Sequence, residues 1–266
     1  MKKTLAMILA LVMLLALSVP CFAEEKEGPL IGMLALLNIN EEDVNEGFSY
    51  KAVFYDSLEP MLLALESGKI DEVILPECVV DYIIKTNDKF AVKDGDPLYD
   101  CRFAMGTLSD NKEVYELLNS AIETMKENGT LEKLQKEYVD DLVESGAEPK
   151  AAEFSVFPDA ETITVAVTGD LPPVDYVAAD GTPAGFNVAL LAEIAKLANV
   201  NIKLVQVNSA SRLLALTSGT VDAVFCFREY VSDIEELKPA TSDDIPDAVS
   251  ITTEYYTSPN CRMILK

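Results

Sequence analysis

Two stretches of this chain are nearly identical: LLALESGKIDEV at residues 62–73 and LLALTSGTVDAV at residues 213–224. They agree at eight of twelve positions and lie 151 residues apart, which identifies an internal repeat. In each copy the leucines recur at helical spacing. Each run then ends at Ser-Gly, where Gly68 or Gly219 can adopt the left-handed conformation that caps a helix.

Strand-like stretches flank both copies of the repeat. Tyr50–Phe54 precedes the first copy, and Ile202–Val207 precedes the second. Apolar stretches follow at Glu72–Leu75 and Ala223–Phe227. Each repeat therefore predicts a β-α-β unit. Such units build parallel strands with helices on the faces of the sheet, so the pattern favours an α/β fold.

The sequence between and after the repeats continues this alternation. Asp180-Gly181 indicates a hairpin-like turn, and Thr130 is the predicted N-cap of a helix. Ser145–Ala160 is acidic and rich in small residues and proline, which is typical of a linker. The further elements predicted are a strand at Ile163–Val167 and helices at Val114–Met125, Leu131–Val139 and Val188–Leu197.

The N-terminus has the pattern of a secretory signal peptide. Lys2 and Lys3 precede an apolar run from Leu5 to Leu17, and Ala23 supplies a small residue for cleavage. The run is shorter than the ~20 residues that span a bilayer. We expect cleavage after Ala23 and an exported protein, periplasmic or extracellular. The alternatives are lipid anchoring through Cys21 and a retained membrane anchor.

Composition narrows the possible functions. Removing 23 of 266 residues leaves 243 and changes the formal net charge from −24 to −26. So acidic a chain argues against nucleic acid and anionic lipid as partners. The chain has no histidine, and no nucleophile motif, phosphate-binding glycine loop or metal-ligand spacing appears. We therefore expect no enzyme activity, no cofactor and no metal. Four cysteines remain, which allow three disulfide pairings: Cys78, Cys101, Cys226 and Cys261.

The segment Ile163–Tyr256 resembles the first lobe of the family-3 extracellular solute-binding proteins, which serve amino-acid ABC importers. The resemblance rests on the second repeat and on the following motifs: Pro172-Pro173, Tyr176, Asp180-Gly181, Gly185-Phe186-Asn187-Val188 and Glu254-Tyr255-Tyr256-Thr257-Ser258. It implies a type II periplasmic-binding-protein fold, with mixed sheets, flanking helices and two lobes joined by two hinge strands.

The segment Leu30–Tyr138 resembles the remainder of the same fold, so the two parts stand in swapped order. The motifs that carry this are Ile31-Gly32-Met33-Leu34, Tyr55-Asp56-Ser57-Leu58, the first repeat, Val79–Ile84, Phe103-Ala104-Met105-Gly106 and Asn128–Leu134. The resemblance thus implies a circular permutation, which is tolerated where natural termini lie close together at the surface.

The resemblance also divides the chain. Residues 1–23 are the predicted signal peptide and 24–101 the second lobe. Residues 102–266 form the first lobe: terminal helices at 102–144, a linker at 145–160, the lobe core at 161–260 and a hinge strand at 261–266. The alternatives are two independent α/β domains or a strand-exchanged dimer instead of a monomer. Matching Cys-Arg pairs on the two hinge strands suggest a Cys101–Cys261 disulfide.

Members of the resembled family bind small solutes between the lobes, which close on the ligand. By position in the family pattern, the predicted ligand-binding residues here are Asp170, Leu171, Val174, Ser209, Arg212, Phe227, Arg228, Asn38 and Glu77. Arg212 ends a Ser-x-x-Arg stretch and is a candidate carboxylate partner, as is Arg228. The aromatic platform usual in the family is replaced by the aliphatic Leu171 and Val174.

These residues predict binding of a small polar solute, an amino acid or related carboxylate, for delivery to an ABC permease. Two alternatives use the same fold. One is a ligand sensor or interaction module without transport, which the altered ligand positions favour. The other is an enzyme such as a dehydratase, which would need a carboxylate, Tyr, Lys or Cys for acid–base chemistry because the chain has no histidine.

Overall fold

The computed structural model describes residues 28–35, 51–95, 98, 100–230 and 246–266, with the backbone alone for 227–230. The predicted signal peptide (1–23) and the predicted ligand residue Asn38 lie outside the described residues. The side chains of Phe227 and Arg228 also lie outside them.

The described chain alternates strands and helices. The strands are β1 Leu30–Leu34, β2 Lys51–Tyr55, β3 Glu72–Pro76, β4 Phe90–Val92, β5 Asp100–Leu108, β6 Thr162–Val167, β7 Tyr176–Val177, β8 Pro183–Ala184, β9 Asn201–Gln206, β10 Ala223–Tyr230, β11 Val249–Ile251 and β12 Tyr256–Leu265. The α-helices are α1 Leu58–Glu66, α2 Glu77–Thr86, α3 Lys112–Glu127, α4 Thr130–Gln135, α5 Asp141–Ser145, α6 Phe186–Ala198 and α7 Arg212–Thr217. A π-helical turn, Lys136–Asp140, joins α4 to α5.

Ten of the described strands form one mixed sheet. Eight of them lie in the order β2-β1-β3-β12-β5-β10-β6-β9, while β11 pairs with β5 and β4 pairs with β12. The pairs β1–β2, β1–β3, β6–β9 and β6–β10 are parallel, and the pairs made by β5 and β12 are antiparallel. The predicted α/β class, with a mixed sheet and flanking helices, is confirmed.

Both repeats fold as the predicted β-α-β units. The first is β2-α1-β3 and the second is β9-α7-β10, and each pair of strands runs parallel to a strand between them. Gly68 and Gly219 follow the helices with φ of +68° and +70°, so the left-handed glycine caps are confirmed. Corresponding positions also share their surroundings: Leu65 and Leu216 are both buried, whereas the side chains of Leu63 and Leu214 are both exposed.

Strand β12 is shared by two parts of the sheet. Tyr256–Pro259 pairs with β5, and Asn260–Met263 pairs with β3. We call residues 28–35 and 51–95 the N half, and residues 100–230 and 246–255 the C half. Because both halves pair with one strand of the same chain, the reading as two independent domains is wrong.

The predicted linker, which lies within the C half as defined here, contacts residues of both halves. Residues 146–161 contain neither helix nor strand. In the N half, the Tyr82 hydroxyl donates a hydrogen bond to the Ala147 carbonyl (3.0 Å). In the C half, the Tyr176 hydroxyl donates one to the Glu148 carboxylate (2.9 Å).

Two local predictions are wrong. Thr130 is the first residue of α4, and the N-cap is Gly129, whose φ of +75° suits glycine. The Cys101–Cys261 disulfide is absent, and none of the four described cysteines forms a disulfide. The strand register explains this, because Cys101 lies opposite Ser258 whereas Cys261, three residues further along β12, lies opposite Leu75.

The predicted turn at Asp180-Gly181 is confirmed. It joins the short antiparallel strands β7 and β8, and Gly181 has a φ of +85°. In the part of the chain that the structure describes, no helix is long and apolar enough to cross a membrane.

Candidate functional site

Three hydrogen bonds connect the two halves where the strands of the β-α-β units end. The Leu58 N–H donates to Asp170 Oδ1 (2.9 Å), and the Ser209 N–H donates to the Asp56 carbonyl (2.9 Å). Arg212 Nη2 donates to the Ala35 carbonyl (2.8 Å). The structure thus brings together three of the predicted ligand residues, Asp170, Ser209 and Arg212, at the boundary between the halves.

Asp170 lies three residues after β6 and is only 5% exposed. Its Oδ2 accepts a hydrogen bond from the Ser209 hydroxyl (2.7 Å), while Oδ1 accepts from Leu58 across the boundary. Burial raises the pKa of the Asp170 carboxyl, and these two donors and the nearby Arg212 oppose the rise. The buried Asp170 carboxylate therefore accepts hydrogen bonds from both halves instead of from water.

Arg212 is the first residue of α7 and is also only 5% exposed. Offset by the 151-residue repeat, it corresponds to Met61, which is fully buried in α1. The guanidinium N–H groups of a buried arginine need hydrogen-bond acceptors within the protein. Its Nε donates to the Ser209 carbonyl (3.0 Å) and its Nη1 to the Phe225 carbonyl (2.9 Å). Burial lowers the pKa of Arg212, opposed by the nearby Asp175 and Asp170.

Asp175 was not among the residues predicted from the sequence. It is buried, and its carboxylate accepts hydrogen bonds from the Thr168 N–H (3.1 Å), the Thr168 hydroxyl (2.9 Å) and the Gly169 N–H (3.1 Å). Burial raises its pKa, which the Thr168 and Gly169 donors oppose. The available signal was a single acid within the otherwise apolar stretch LPPVDYV. Asp175 orders the turn that carries Asp170.

The space around Arg212 is very small. A cavity of about 10 Å³ lies there, lined by Leu34, Phe103, Thr168, Leu171, Asp175, Asn187, Ser209, Arg212, Phe225 and Cys226. That volume accommodates about one water molecule. An amino acid can enter this place only if the halves move apart.

A much larger groove lies beside it, with a volume of about 930 Å³. The N-half wall is α1 with its preceding Ser57, and the C-half wall is formed by Thr168–Asp170, Val177–Ala179, Gly181 and Gln206–Asn208. Thr168 lines both spaces. The groove has three carboxylates in its lining, those of Glu59, Glu66 and Asp170, and no lysine or arginine among its lining residues.

The remaining predicted residues are placed differently. Leu171 lines the small cavity, but Val174 is fully buried in the core and lines neither space. Glu77 is the exposed first residue of α2. The backbones of Phe227 and Arg228 lie on β10 opposite Phe103 and Arg102. Within the described residues, no group of three or more His, Cys, Asp and Glu side chains could hold a metal ion.

Sequence comparison relates part of this chain to known proteins. Residues 163–229 match the family described as bacterial extracellular solute-binding proteins, family 3. The ABC transporter arginine-binding protein 1 of Escherichia coli (strain K12) is 34% identical over 92 residues. That alignment covers 33% of this chain, and the chain spans 38% of the length of that relative.

Comparison of structures finds similar chains at low identity. One is an amino acid ABC transporter substrate-binding protein from Streptococcus pneumoniae bound to L-arginine: 12% identity, TM-score 0.40, 91% of this chain and 83% of that chain covered. Another is an arginine periplasmic binding protein from Legionella pneumophila: 12% identity, TM-score 0.39, 90% of this chain and 86% of that chain covered. By sequence, the similarity to the bacterial extracellular solute-binding proteins, family 3, covers residues 163–229 of this chain.

Proposed function

We propose that this chain binds a small polar solute, an amino acid or a related carboxylate, between its two halves and delivers it to an ABC importer. The observation that carries this proposal is the family match of residues 163–229 together with the curated relative at 34% identity, which is an ABC transporter arginine-binding protein. The relatives are binding proteins, so the proposed activity is reversible binding without turnover. No cofactor is required for it.

The site supports this function through donors that opening would release. Separation of the halves takes Ala35 away from Arg212 Nη2 and takes Asp170 away from the Leu58 N–H. A solute carboxylate between the halves could accept from both donors, one from each half. A ligand that contacts both halves stabilises the closed state by its additional contacts there. Asn38, Phe227, Arg228 and Glu77 remain proposed ligand residues on the family pattern alone.

Cellular location and chain order belong to the same proposal. Cleavage after Ala23 would release the protein into the periplasm or the extracellular space. Residues 24–101 would form the second lobe and 102–266 the first, with residues 145–160 joining the ends that are free in other members of the family. A chain in which residues 161–266 precede 24–144 should then reach the same far-UV CD spectrum and a similar melting temperature. An unfolded product would contradict the permutation.

Solute binding is tested by thermal-shift screening of amino acids, short peptides and small organic acids, followed by titration calorimetry of each hit. A solute at ~100 times its dissociation constant should stabilise the fold by roughly 2.7 kcal/mol. Arg212→Met, which copies the residue at the corresponding repeat position, should weaken binding of a carboxylate solute about tenfold or more. Leu214→Met, on the exposed face of the same helix, is the control. No shift with any compound would contradict the transport function.

A second candidate, a sensor or interaction module on the same fold, is favoured by the closed space of about 10 Å³ at Arg212. In that case the protein need not release a solute to a permease. Reconstitution with the permease and ATPase separates the two, because only a transport component stimulates ATP hydrolysis when solute is added.

A further inference from the structure

We propose that Asp170 is a built-in latch: its carboxylate takes the place of a solute carboxylate and holds the two halves closed when no solute is bound. This inference deepens the proposed function, because a solute would have to displace Asp170. The latch acts in the solute-free protein, so its test needs no solute.

The Asp170 carboxylate is bound by residues at corresponding positions of the two β-α-β units. Offset by 151 residues, Leu58 of the N half corresponds to Ser209 of the C half. The Leu58 N–H donates to Oδ1 (2.9 Å), and the Ser209 hydroxyl donates to Oδ2 (2.7 Å). Asp170 itself lies outside the repeat. The carboxylate therefore occupies the point at which the two repeated units approach each other.

Helix α1 depends on Asp170 for a capping interaction. Its N-cap residue, Ser57, makes no side-chain hydrogen bond to the helix. The first N–H groups of a helix have no partner within the helix, and a carboxylate is a favourable acceptor for them. Asp170 supplies that acceptor from the opposite half of the molecule, 112 residues away in sequence. Opening would leave the Leu58 N–H to water and return the carboxylate to solvent.

Two further bonds close the same boundary. The Ser209 N–H donates to the Asp56 carbonyl (2.9 Å), and Arg212 Nη2 donates to the Ala35 carbonyl (2.8 Å). The remaining space of about 10 Å³ is too small for any amino acid. The halves are therefore closed on Asp170 and on backbone carbonyls, so solute binding must compete with contacts that the protein already makes.

The latch can be removed by a substitution that changes little else. Leu58 is the first residue of α1, a position where proline is tolerated because its missing N–H is not used within the helix. The backbone of Ser57 is extended (φ −159°, ψ 165°), as a residue before proline requires. Leu58→Pro thus deletes the donor to Asp170 and leaves the carboxylate in place. Leu58→Ala is the matched control, because it removes side-chain packing but keeps the N–H.

The readout is the amide hydrogen exchange of Ser209 in solute-free protein, because its bond to Asp56 crosses the boundary and no variant removes it. We expect exchange about tenfold faster, or more, in Leu58→Pro and in Asp170→Ala, because both lose the hydrogen bond from Leu58 to the charged carboxylate across the boundary; Asp170→Ala also loses the bond from the Ser209 hydroxyl. Leu58→Ala and Asp180→Ala, the latter removing an exposed acid of the same half, should exchange like the wild type. The amide of Val165 in β6 should keep its protection in all variants, which shows that the fold is intact.

Two results would overturn the latch. One is equal Ser209 exchange in the wild type, Leu58→Pro and Asp170→Ala. The other is a wild-type Ser209 amide without protection, which would mean that the solute-free protein is open. If Asp170→Ala does not fold, Leu58→Pro against Leu58→Ala decides alone. A failed solute screen would contradict the proposed function and leave this measurement unchanged.

Discussion

Replacing Arg212 by methionine tests how far a buried cation supports this fold. The substitution follows the repeat, since Met61 fills the corresponding place in α1 and is fully buried there. Arg212 donates three hydrogen bonds to backbone carbonyls at 2.8–3.0 Å, two of them to acceptors within the C half. Methionine fits the position but leaves the Ser209 and Phe225 carbonyls without this donor.

The magnitude follows from these contacts. Three net hydrogen bonds at about 1 kcal/mol each, plus about 1–3 kcal/mol for each carbonyl left unpaired, give a loss of roughly 5–9 kcal/mol. Burial of the methionine side chain and relief of the buried charge together return roughly 3–5 kcal/mol. We therefore expect Arg212→Met to lower the free energy of unfolding by about 2–4 kcal/mol. Arg212→Ala should lose about 2 kcal/mol more, because it leaves a cavity.

Urea denaturation followed by far-UV CD measures these differences, since the chain contains no tryptophan. Leu214→Met lies on the same helix at a side chain that is 70% exposed, and it should stay within about 0.5 kcal/mol of the wild type. An Arg212→Met protein as stable as Leu214→Met would refute the reasoning. In that case the three hydrogen bonds would contribute nothing beyond the cost of burying the charge.

The loss of stability in Arg212→Met should depend on pH, and the electrostatics of the site determine in which direction. Burial raises the pKa of Asp170 and of Asp175, and the nearby Arg212 opposes the rise in both. Without the cation both pKa values rise further. A carboxyl whose pKa is higher in the folded than in the unfolded protein stabilises the fold at low pH, and this contribution is lost as the pH rises through the folded-state pKa. The difference in the free energy of unfolding between the wild type and Arg212→Met should therefore shrink as the pH falls below neutral. A difference that grows at low pH would contradict this prediction.

Two further predictions concern packing and the thiols. Gly185→Ala should lower the free energy of unfolding by about 3 kcal/mol or more, because the added Cβ would lie 2.3 Å from the Pro173 carbonyl oxygen at a φ of +93°. Gly181→Ala, which has open space around it, should lower it by about 1 kcal/mol. Melting temperatures of the two variants measure this order, and equal losses would refute it. In a chain beginning at Glu24, thiol titration without reductant should find no reactive cysteine in the native protein and four in urea. The native thiols should be unreactive because all four are buried, and burial raises the pKa of Cys78 to about 11 and of Cys261 to about 12. Two reactive thiols in urea would instead reveal a disulfide.

The repeated units could be predicted because their signals are local. Helical spacing, Ser-Gly caps and flanking apolar strands all lie within about 25 residues, and the β-α-β units formed as expected. The disulfide could not be predicted, because strand register is set by long-range packing. A shift of three residues along β12 separates Cys101 from Cys261.

Asp175 escaped prediction for a different reason. Its three donors come from Thr168 and Gly169, close in sequence, but a surface turn and a buried one have the same local composition. The tertiary structure shows that this turn is inside, because Val174 is fully buried and Asp175 is only 2% exposed. The contact of Leu58 with Asp170 spans 112 residues and has no local signal at all.

The two repeats nevertheless contain more information about the site than either copy does alone. Where they agree, as at Leu65 and Leu216, the side chains have the same surroundings in both halves. Arg212 corresponds to the apolar Met61, and this polar residue donates a hydrogen bond across the boundary between the halves. A shared apolar position needs only packing, whereas a polar residue at a core position must be satisfied from somewhere. Comparing the two copies therefore marks Arg212 as a buried polar residue that takes one of its acceptors, the Ala35 carbonyl, from the other half.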